Sequence, residues 1–142
     1  MAIRVRVLIK NPNTNIQIET SALVNSGYET HMPEIHIPLP LVRRLGFSIE
    51  EFSIGTITLC GQIEIPTRIL GVVSVKVKVQ NKETTWVNAI ATSIGRENEV
   101  LLSDKLTDAL GISPIKVGEG LWRLFDDSPN IVRRSVRPEY WE

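Results

Sequence analysis

The turn Asn25-Ser26-Gly27 carries the residues of this chain with the clearest potential for chemistry. It directly follows the apolar segment Ala22-Leu23-Val24, which predicts a buried strand that ends at the turn. A carboxylic acid at such a strand end can exchange a proton with a substrate. The amide of Asn25 cannot do so near neutral pH and offers only hydrogen bonds. Asn, Ser and Gly are also common turn residues, so an ordinary turn is the simplest alternative interpretation.

A second set of candidates, His31, Glu34 and His36, has side chains of the types that bind metals. Pro33 and Pro38 interrupt the helix that would gather them. Their spacing is also one residue too long for the inverted zincin pattern. We therefore expect neither a metal nor a cofactor in this chain.

Composition and charge narrow the class of protein. The 142 residues, 42% of them hydrophobic, fit one domain with a real core. Sixteen basic and sixteen acidic residues cancel, so no positive field attracts nucleic acid. Cys60 is the only cysteine, which excludes an internal disulfide, and with no obvious base partner it is expected to be a packing thiol.

The first residues, 1–6, alternate charged and apolar side chains, unlike a signal peptide, and no later apolar run is long enough to span a bilayer. The default expectation is a soluble cytoplasmic protein without a membrane or nucleic-acid partner.

Hydrophobic periodicity predicts mostly strands. The residues from Ile3 to Ile9 alternate, a turn-forming segment follows at 11–15, and the alternation resumes from Ile16, which predicts a first hairpin. Two short helices are predicted, one near 41–46 and one that Ser103 caps and Gly111 ends. The remaining predicted strands are Thr56 to Leu59, Ile63 to Ile65, Val72 to Val79, Thr85 to Ala91, Val100 to Leu102 and Leu121 to Phe125.

Three segments in this order resemble landmarks of the retropepsin-like (clan AA) aspartic proteases. The loop Ala22 to Gly27 resembles their apolar-apolar-Asp-Thr/Ser-Gly active-site loop, except at Asn25. The segment Val100 to Leu106, followed by Leu110-Gly111-Ile112, resembles the apolar-apolar-Gly segment and helix that run behind that loop. Between them, the glycine-tipped hairpin Leu59-Cys60-Gly61-Gln62-Ile63 stands where the family has its flap.

The resemblance covers Arg4 to Phe125 and departs from the family at Asn25 and at Ser103, where glycine is usual. It implies an all-β retropepsin-like acid-protease barrel with one or two short helices over 1–125, followed by an extended tail over 126–142. Because a chain this short holds one such loop, it also implies a homodimer with the active site at its two-fold axis.

The resemblance assigns roles to the landmarks. Asn25, Ser26 and Gly27 form the catalytic loop, the hairpin Leu59 to Ile63 binds the substrate, and the substrate is a peptide or an unfolded protein. In the family two carboxylates share a proton, and one acts as base while the other acts as acid. With Asn25 in both subunits, we expect an aspartic endopeptidase that is inactive as written.

Two histories fit Asn25: the deliberate inactivation of an active protease, which the retained Ser26 and Gly27 favour, and a natural protein that only binds peptides. A different class of protein also fits the strands and turns. A non-catalytic β-barrel binding or scaffolding domain would show the same alternation, but it would have no reason to place Leu101-Leu102 and a capped helix behind the Asn25 loop.

Overall fold

The computed structural model of the chain describes residues 2–48, 53–59 and 63–142. In these ranges the chain forms eleven strands and two short α-helices. The strands are β1 (Arg4–Lys10), β2 (Gln17–Val24), β3 (Tyr28–Glu29), β4 (Glu34–His36), β5 (Ser53–Leu59), β6 (Ile63–Val77), β7 (Val87–Ser93), β8 (Val100–Leu102), β9 (Ile112–Lys116), β10 (Leu121–Leu124) and β11 (Arg133–Arg134). The helices are α1 (Leu39–Arg44) and α2 (Asp104–Ala109), and a 3-10 turn covers Val117–Glu119.

Six of the described strands close into a barrel, in the order β1-β2-β8-β4-β7-β6, with β6 pairing back to β1. Strands β5 and β3 extend the sheet beyond β6. The alternation predicted for β1 is confirmed, because Val5, Val7 and Ile9 are fully buried while the residues between them are half-buried. The expectation of an all-β barrel with two short helices is therefore confirmed at the level of architecture.

Strand β8 lies between β2 and β4 in the barrel, an arrangement that no local sequence pattern predicts. Strand β8 runs parallel to β2, with Ala22 opposite Val100 and Val24 opposite Leu102. On its other side β8 runs antiparallel to β4. Since β8 lies between two strands, all three of its residues are buried, and the apolar run Val100-Leu101-Leu102 is explained.

Both predicted helices are present. Helix α1 begins directly after Pro38, and the chain leaves it through Gly46, whose φ of +85° favours glycine. Helix α2 begins after Ser103, whose Oγ accepts a hydrogen bond from the Leu106 N–H at 3.2 Å. The predicted Ser103 cap is confirmed. No helix among the described residues has the length and apolar character that crossing a membrane requires.

The prediction of separate strands at Ile63 to Ile65 and Val72 to Val79 is wrong, because one strand, β6, runs through both. The register against β7 shifts between Ile69 and Gly71, and Gly71 has a φ of +137°, so the strand bends at a bulge and continues. Pro66 lies before the pairing of β6 with β7 begins at Arg68, so among the described strands only β5 pairs with β6 at this position. A proline, which has no N–H to donate, is tolerated on such an edge.

Two strands of the C-terminal third were not predicted. Strands β9 and β11 flank β10 in a separate three-stranded sheet. Asp127 holds this region together, since its carboxylate accepts hydrogen bonds from Arg133 Nε at 2.8 Å, Lys82 Nζ at 2.9 Å and Leu124 N at 2.8 Å. The neighbouring Arg133 guanidinium lowers the pKa of Asp127 well below its usual range.

Residues 126–142, expected as an extended tail, return along the barrel. Val136 N donates to Arg4 O at 3.0 Å, and Trp141 Nε1 donates to Thr20 Oγ1 at 3.0 Å. The half-buried Trp141 also packs against the main core. These contacts make the tail part of the packing of the barrel and not a separate appendage.

The ion pair between Arg4 and Glu99 joins the first strand to the segment that leads into β8. Arg4 Nε donates to Glu99 Oε2 at 2.7 Å and Arg4 Nη2 donates to Glu99 Oε1 at 3.0 Å. The Glu99 side chain is only 5% exposed. Removing one partner of such a buried, bidentate ion pair is destabilising, because the other charge is left without a counterion.

We predict that Glu99→Gln lowers the free energy of unfolding by about 2–4 kcal/mol, because the guanidinium of Arg4 keeps its charge without a counterion. Urea unfolding measures this loss. The matched control is Glu83→Gln, which breaks the ion pair between Glu83 and Lys76. The Glu83 side chain is 94% exposed, so this change should cost less than about 0.5 kcal/mol. Equal losses in the two variants would contradict a structural role for Glu99.

Candidate functional site

The Asn25 turn is closed by both its backbone and its side chain. Tyr28 N donates to Asn25 O at 3.0 Å, and Gly27 N donates to Asn25 Oδ1 at 3.1 Å. Asn25 is half-buried, whereas Ser26 is exposed. The second bond is the local role that Asn commonly has in turns. A carboxylate accepts the same bond, so the turn can hold either Asn or Asp at this position.

The turn is supported by a segment far along the chain. Asn25 N donates to Leu102 O at 3.2 Å, which continues the parallel pairing of β2 with β8 into the turn. A few residues later, Thr30 N donates to Asp104 Oδ1 at 3.1 Å. The chain on both sides of Ser26-Gly27 is therefore fixed against β8 and the first turn of α2.

Ser103 has more than one contact at this junction. Its Oγ accepts from Glu34 N at 3.0 Å as well as from Leu106 N, and Ser103 N donates to Glu34 O at 3.1 Å. The residue is fully buried. Its hydroxyl thus links β4 to the start of α2, which gives the departure from glycine a structural role.

A buried polar network lies directly behind the turn. Tyr28 is fully buried, and its hydroxyl donates to Glu34 Oε1 at 3.0 Å and lies 2.9 Å from Thr92 Oγ1. Burial raises the pKa of Tyr28, so its hydroxyl stays protonated. Burial also raises the pKa of Glu34, against the opposing effects of the Tyr28 hydrogen bond and the nearby His31.

Sequence reasoning missed Tyr28 and Thr92 as members of this site. Thr92 lies 64 residues after Tyr28, and it reaches the hydroxyl only because β7 pairs with β4. No local pattern signals such a contact. Glu34 was noticed only as one member of a metal-binding set.

The structure separates that set. His36 is fully buried, and its Nδ1 accepts from Ile94 N at 3.0 Å while its Nε2 lies 3.0 Å from Glu97 O. Since a backbone N–H must donate to Nδ1, the proton is on Nε2 and the ring is neutral. Burial lowers the pKa of His36 to about 4. His31 is exposed, and the described residues contain no group of three side chains that could hold a metal ion.

The predicted substrate-binding hairpin is described only in part. Leu59 and Ile63 are antiparallel partners at the ends of β5 and β6, whereas Cys60, Gly61 and Gln62 lie outside the described residues. The structure also brings this hairpin to the Asn25 turn. Tyr28 pairs with Leu59 and Glu29 pairs with Thr58, so β5 runs antiparallel to the strand that immediately follows the turn.

Comparison with known proteins gives no match: no family model fits the sequence, and neither a curated protein nor a solved structure is similar enough to assign a family. The site therefore has to be interpreted from its own geometry. That geometry is a half-buried amide turn, a buried tyrosine-carboxyl network behind it and a hairpin strand beside it.

We predict that His36 makes the protein less stable in acid. Its pKa lies below the ordinary value of 6.5, so the unfolded chain binds the proton first and stability falls as the pH drops from 6.5 towards 4. The loss between pH 7 and pH 4.5 should be on the order of 2–3 kcal/mol.

Urea unfolding at several pH values measures this effect. His36→Gln should flatten the slope between pH 7 and pH 4.5, whatever its stability at pH 7. His31→Gln, which changes the exposed histidine, should keep the parental slope. If the His36 variant also keeps that slope, another group governs stability over this range.

Proposed function

We propose that this chain is a retropepsin-like protein whose subunits share a peptide-binding site, with Asn25 in the position of the catalytic aspartate. As written, the protein binds extended peptides or unfolded segments and does not cleave them. The observation that carries the proposal is the support of the Asn25 turn by β8 and α2.

That support distinguishes the turn from a hairpin turn. A hairpin turn is held by the two strands it connects, which are neighbours in sequence. Here β2 pairs in parallel with β8, and Asn25 N bonds to Leu102 O. Helix α2, which Ser103 caps, begins directly after β8 at Asp104. The Asp104 carboxylate accepts a hydrogen bond from Thr30 N. A turn held by a remote strand and helix is a rigid place for a reactive side chain.

The chemistry of the proposed site follows from the amide. In the aspartic proteases one carboxylate withdraws a proton from water while the other protonates the scissile carbonyl oxygen. The Asn25 amide exchanges no proton near neutral pH, and removing one such acid-base group usually costs ~10²–10⁴-fold in rate. Two neutral amides also avoid the repulsion between neighbouring carboxylates. Binding is therefore retained while cleavage is lost.

A non-catalytic binding domain without protease ancestry is the second candidate function. The hydrogen bond that Gly27 N donates to Asn25 Oδ1 favours it, because this bond gives the asparagine a sufficient role in the turn itself. Such a domain would bind through a single chain and would gain no activity from a carboxylate at position 25.

We predict a homodimer, because one chain supplies one Asn25 turn and the proposed site needs two. Sedimentation at micromolar concentration should give twice the chain mass of 15.9 kDa. A stable monomer over that range would contradict the shared site and favour the single-chain binding domain.

We predict that Asn25→Asp creates an endopeptidase with an acidic pH optimum. The turn accepts the change because a carboxylate oxygen can replace Oδ1 as acceptor for Gly27 N, and in the dimer both members of the dyad are restored. Cleavage of an unfolded protein from pH 3 to 7, and its inhibition by a statine peptide, measure the effect.

The matched control is Asn13→Asp, which makes the same chemical change in an exposed turn. The control and the parent should both stay folded and bind the statine peptide, and neither should cut any substrate. An Asn25→Asp variant that folds and dimerises yet cleaves nothing in a broad peptide library would leave the protease interpretation without a mechanism.

A further inference from the structure

A small surface cavity lies at the end of β2 that is remote from the Asn25 turn. It has a volume of about 230 Å³ and is bounded by the turn between β1 and β2, the exit of α1 and the bulge of β6. Strand β2 has eight residues between this cavity and Asn25. At about 3.3 Å per residue, the two places are on the order of 25 Å apart. What the cavity binds is therefore independent of the function proposed above.

The cavity is polar without being charged. Its polar lining residues carry amides and hydroxyls, and none of the described residues that line it carries a charge: the four are Asn11, Asn13, Thr14 and Ser48. Two other cavities on the described surface differ, because both are lined by Lys82 and Asp126, whose charges pair with each other at 2.7 Å. A cavity without a charge offers a charged ligand nothing in return for its hydration, so it favours a neutral one.

The polar wall is held in place by hydrogen bonds within the protein. Asn11 is only 2% exposed, and its Nδ2 donates to Leu45 O at 2.9 Å while its Oδ1 accepts from Asn13 N at 3.0 Å. Thr14 Oγ1 donates to the same Leu45 O at 3.1 Å. These bonds hold the turn that carries Asn13 against the end of α1. The cavity is thus formed before a ligand arrives, as small-molecule sites usually are.

Two polar side chains of the cavity remain available to a ligand. The amide of Asn13 and the hydroxyl of Ser48 are both exposed, and neither has a hydrogen-bond partner among the described residues. An amide and a hydroxyl can each donate and accept hydrogen bonds. Both groups therefore match a ligand that carries hydroxyls, which also donate and accept.

The opposite wall of the cavity is apolar. Phe47 and Leu70 are half-buried and pack against the main core, and Val72 is 51% exposed at the rim. Between the last two, Gly71 has no side chain, and a Cβ built there would lie 3.7 Å from Phe47 Cε1. The glycine at the bulge of β6 thus leaves the space beside the Phe47 ring open.

We propose that this cavity is a binding site for a neutral sugar ring, a pyranose of monosaccharide size. A pyranose presents C–H groups on its faces and hydroxyls around its rim. It can therefore cover Phe47 and Leu70 with one face while its hydroxyls bond to Asn13 and Ser48. The cavity volume is below the ~300–1,000 Å³ of sites for drug-sized ligands, so it holds a single ring.

Titration of the full chain with methyl glycosides tests the site. The probes are the methyl α-pyranosides of glucose, galactose and mannose, each added to about 50 mM, which detects dissociation constants in the millimolar range. In two-dimensional NMR of the amide groups, at least one probe should shift the Asn13 side-chain amide and the backbone N–H of Gly46 and Gly71 in a saturable way. The Gly27 N–H should not move. Absence of a saturable shift at the cavity with all three probes would overturn the proposal.

Asn13→Leu should weaken binding of the best probe at least about tenfold, because leucine keeps the size of the side chain and removes its hydrogen bonds. The exposed side chain is not part of the core, so the variant should keep the parental NMR spectrum away from the cavity. The matched control is Gln80→Leu, a similar change at an exposed amide outside the cavity, and it should leave the affinity unchanged. Equal affinity of the Asn13 variant and the parent would contradict the site.

Two analogues test the chemical class of the ligand. Glucuronate has the same ring with a carboxylate, and cyclohexanol has a ring of the same size with a single hydroxyl. Each should bind at least about tenfold more weakly than the best methyl pyranoside. Equal binding of glucuronate would contradict selection of a neutral ligand, and equal binding of cyclohexanol would reduce the site to an apolar cavity.

Discussion

The parallel pairing of β2 with β8 is the contact on which both the barrel and the candidate site depend. Parallel strands cannot be joined by a tight turn, and the long connection from β2 to its parallel neighbour β8 carries the strands β3 to β7. Once Val24 is opposite Leu102, the Asn25 turn stands against the start of α2, and β4 can pair with the other side of β8. The Arg4–Glu99 ion pair strengthens the same junction, since Glu99 directly precedes β8.

Signals within a few residues of one another were sufficient for much of the fold. Ser103 predicted the start of α2, and the run Val100 to Leu102 predicted a buried strand. The single strand β6 was missed, because the bulge at Gly71 depends on the strands that flank it. The bond from Trp141 Nε1 to Thr20 and the network around Tyr28 were missed for the same reason. Both join residues that only the closed barrel brings together.

At Asn25 the geometry of the turn and its catalytic reactivity depend on different properties of the side chain. The amide oxygen accepts the Gly27 N–H, so the turn keeps its geometry, and the missing property is the exchange of a proton. Tyr28 in the network behind the turn and His36 in β4 both stay neutral near pH 7, because burial raises the pKa of the first and lowers the pKa of the second. Under this account peptide binding and cleavage are separable properties, and only cleavage requires a carboxylate at position 25.

The central claim is that the residues at position 25 of two subunits meet in one site, and a cross-link there tests it most directly. The variant Asn25→Cys with Cys60→Ser should form a covalent dimer on mild oxidation, because side chains close enough to share a proton are within reach of a disulfide. Val117→Cys in the same background, at a side chain that is 58% exposed in the 3-10 turn between β9 and β10, controls for random collisions. The account predicts rapid and near-complete cross-linking at position 25 alone. A folded variant that cross-links no faster than the Val117 control would contradict the shared site.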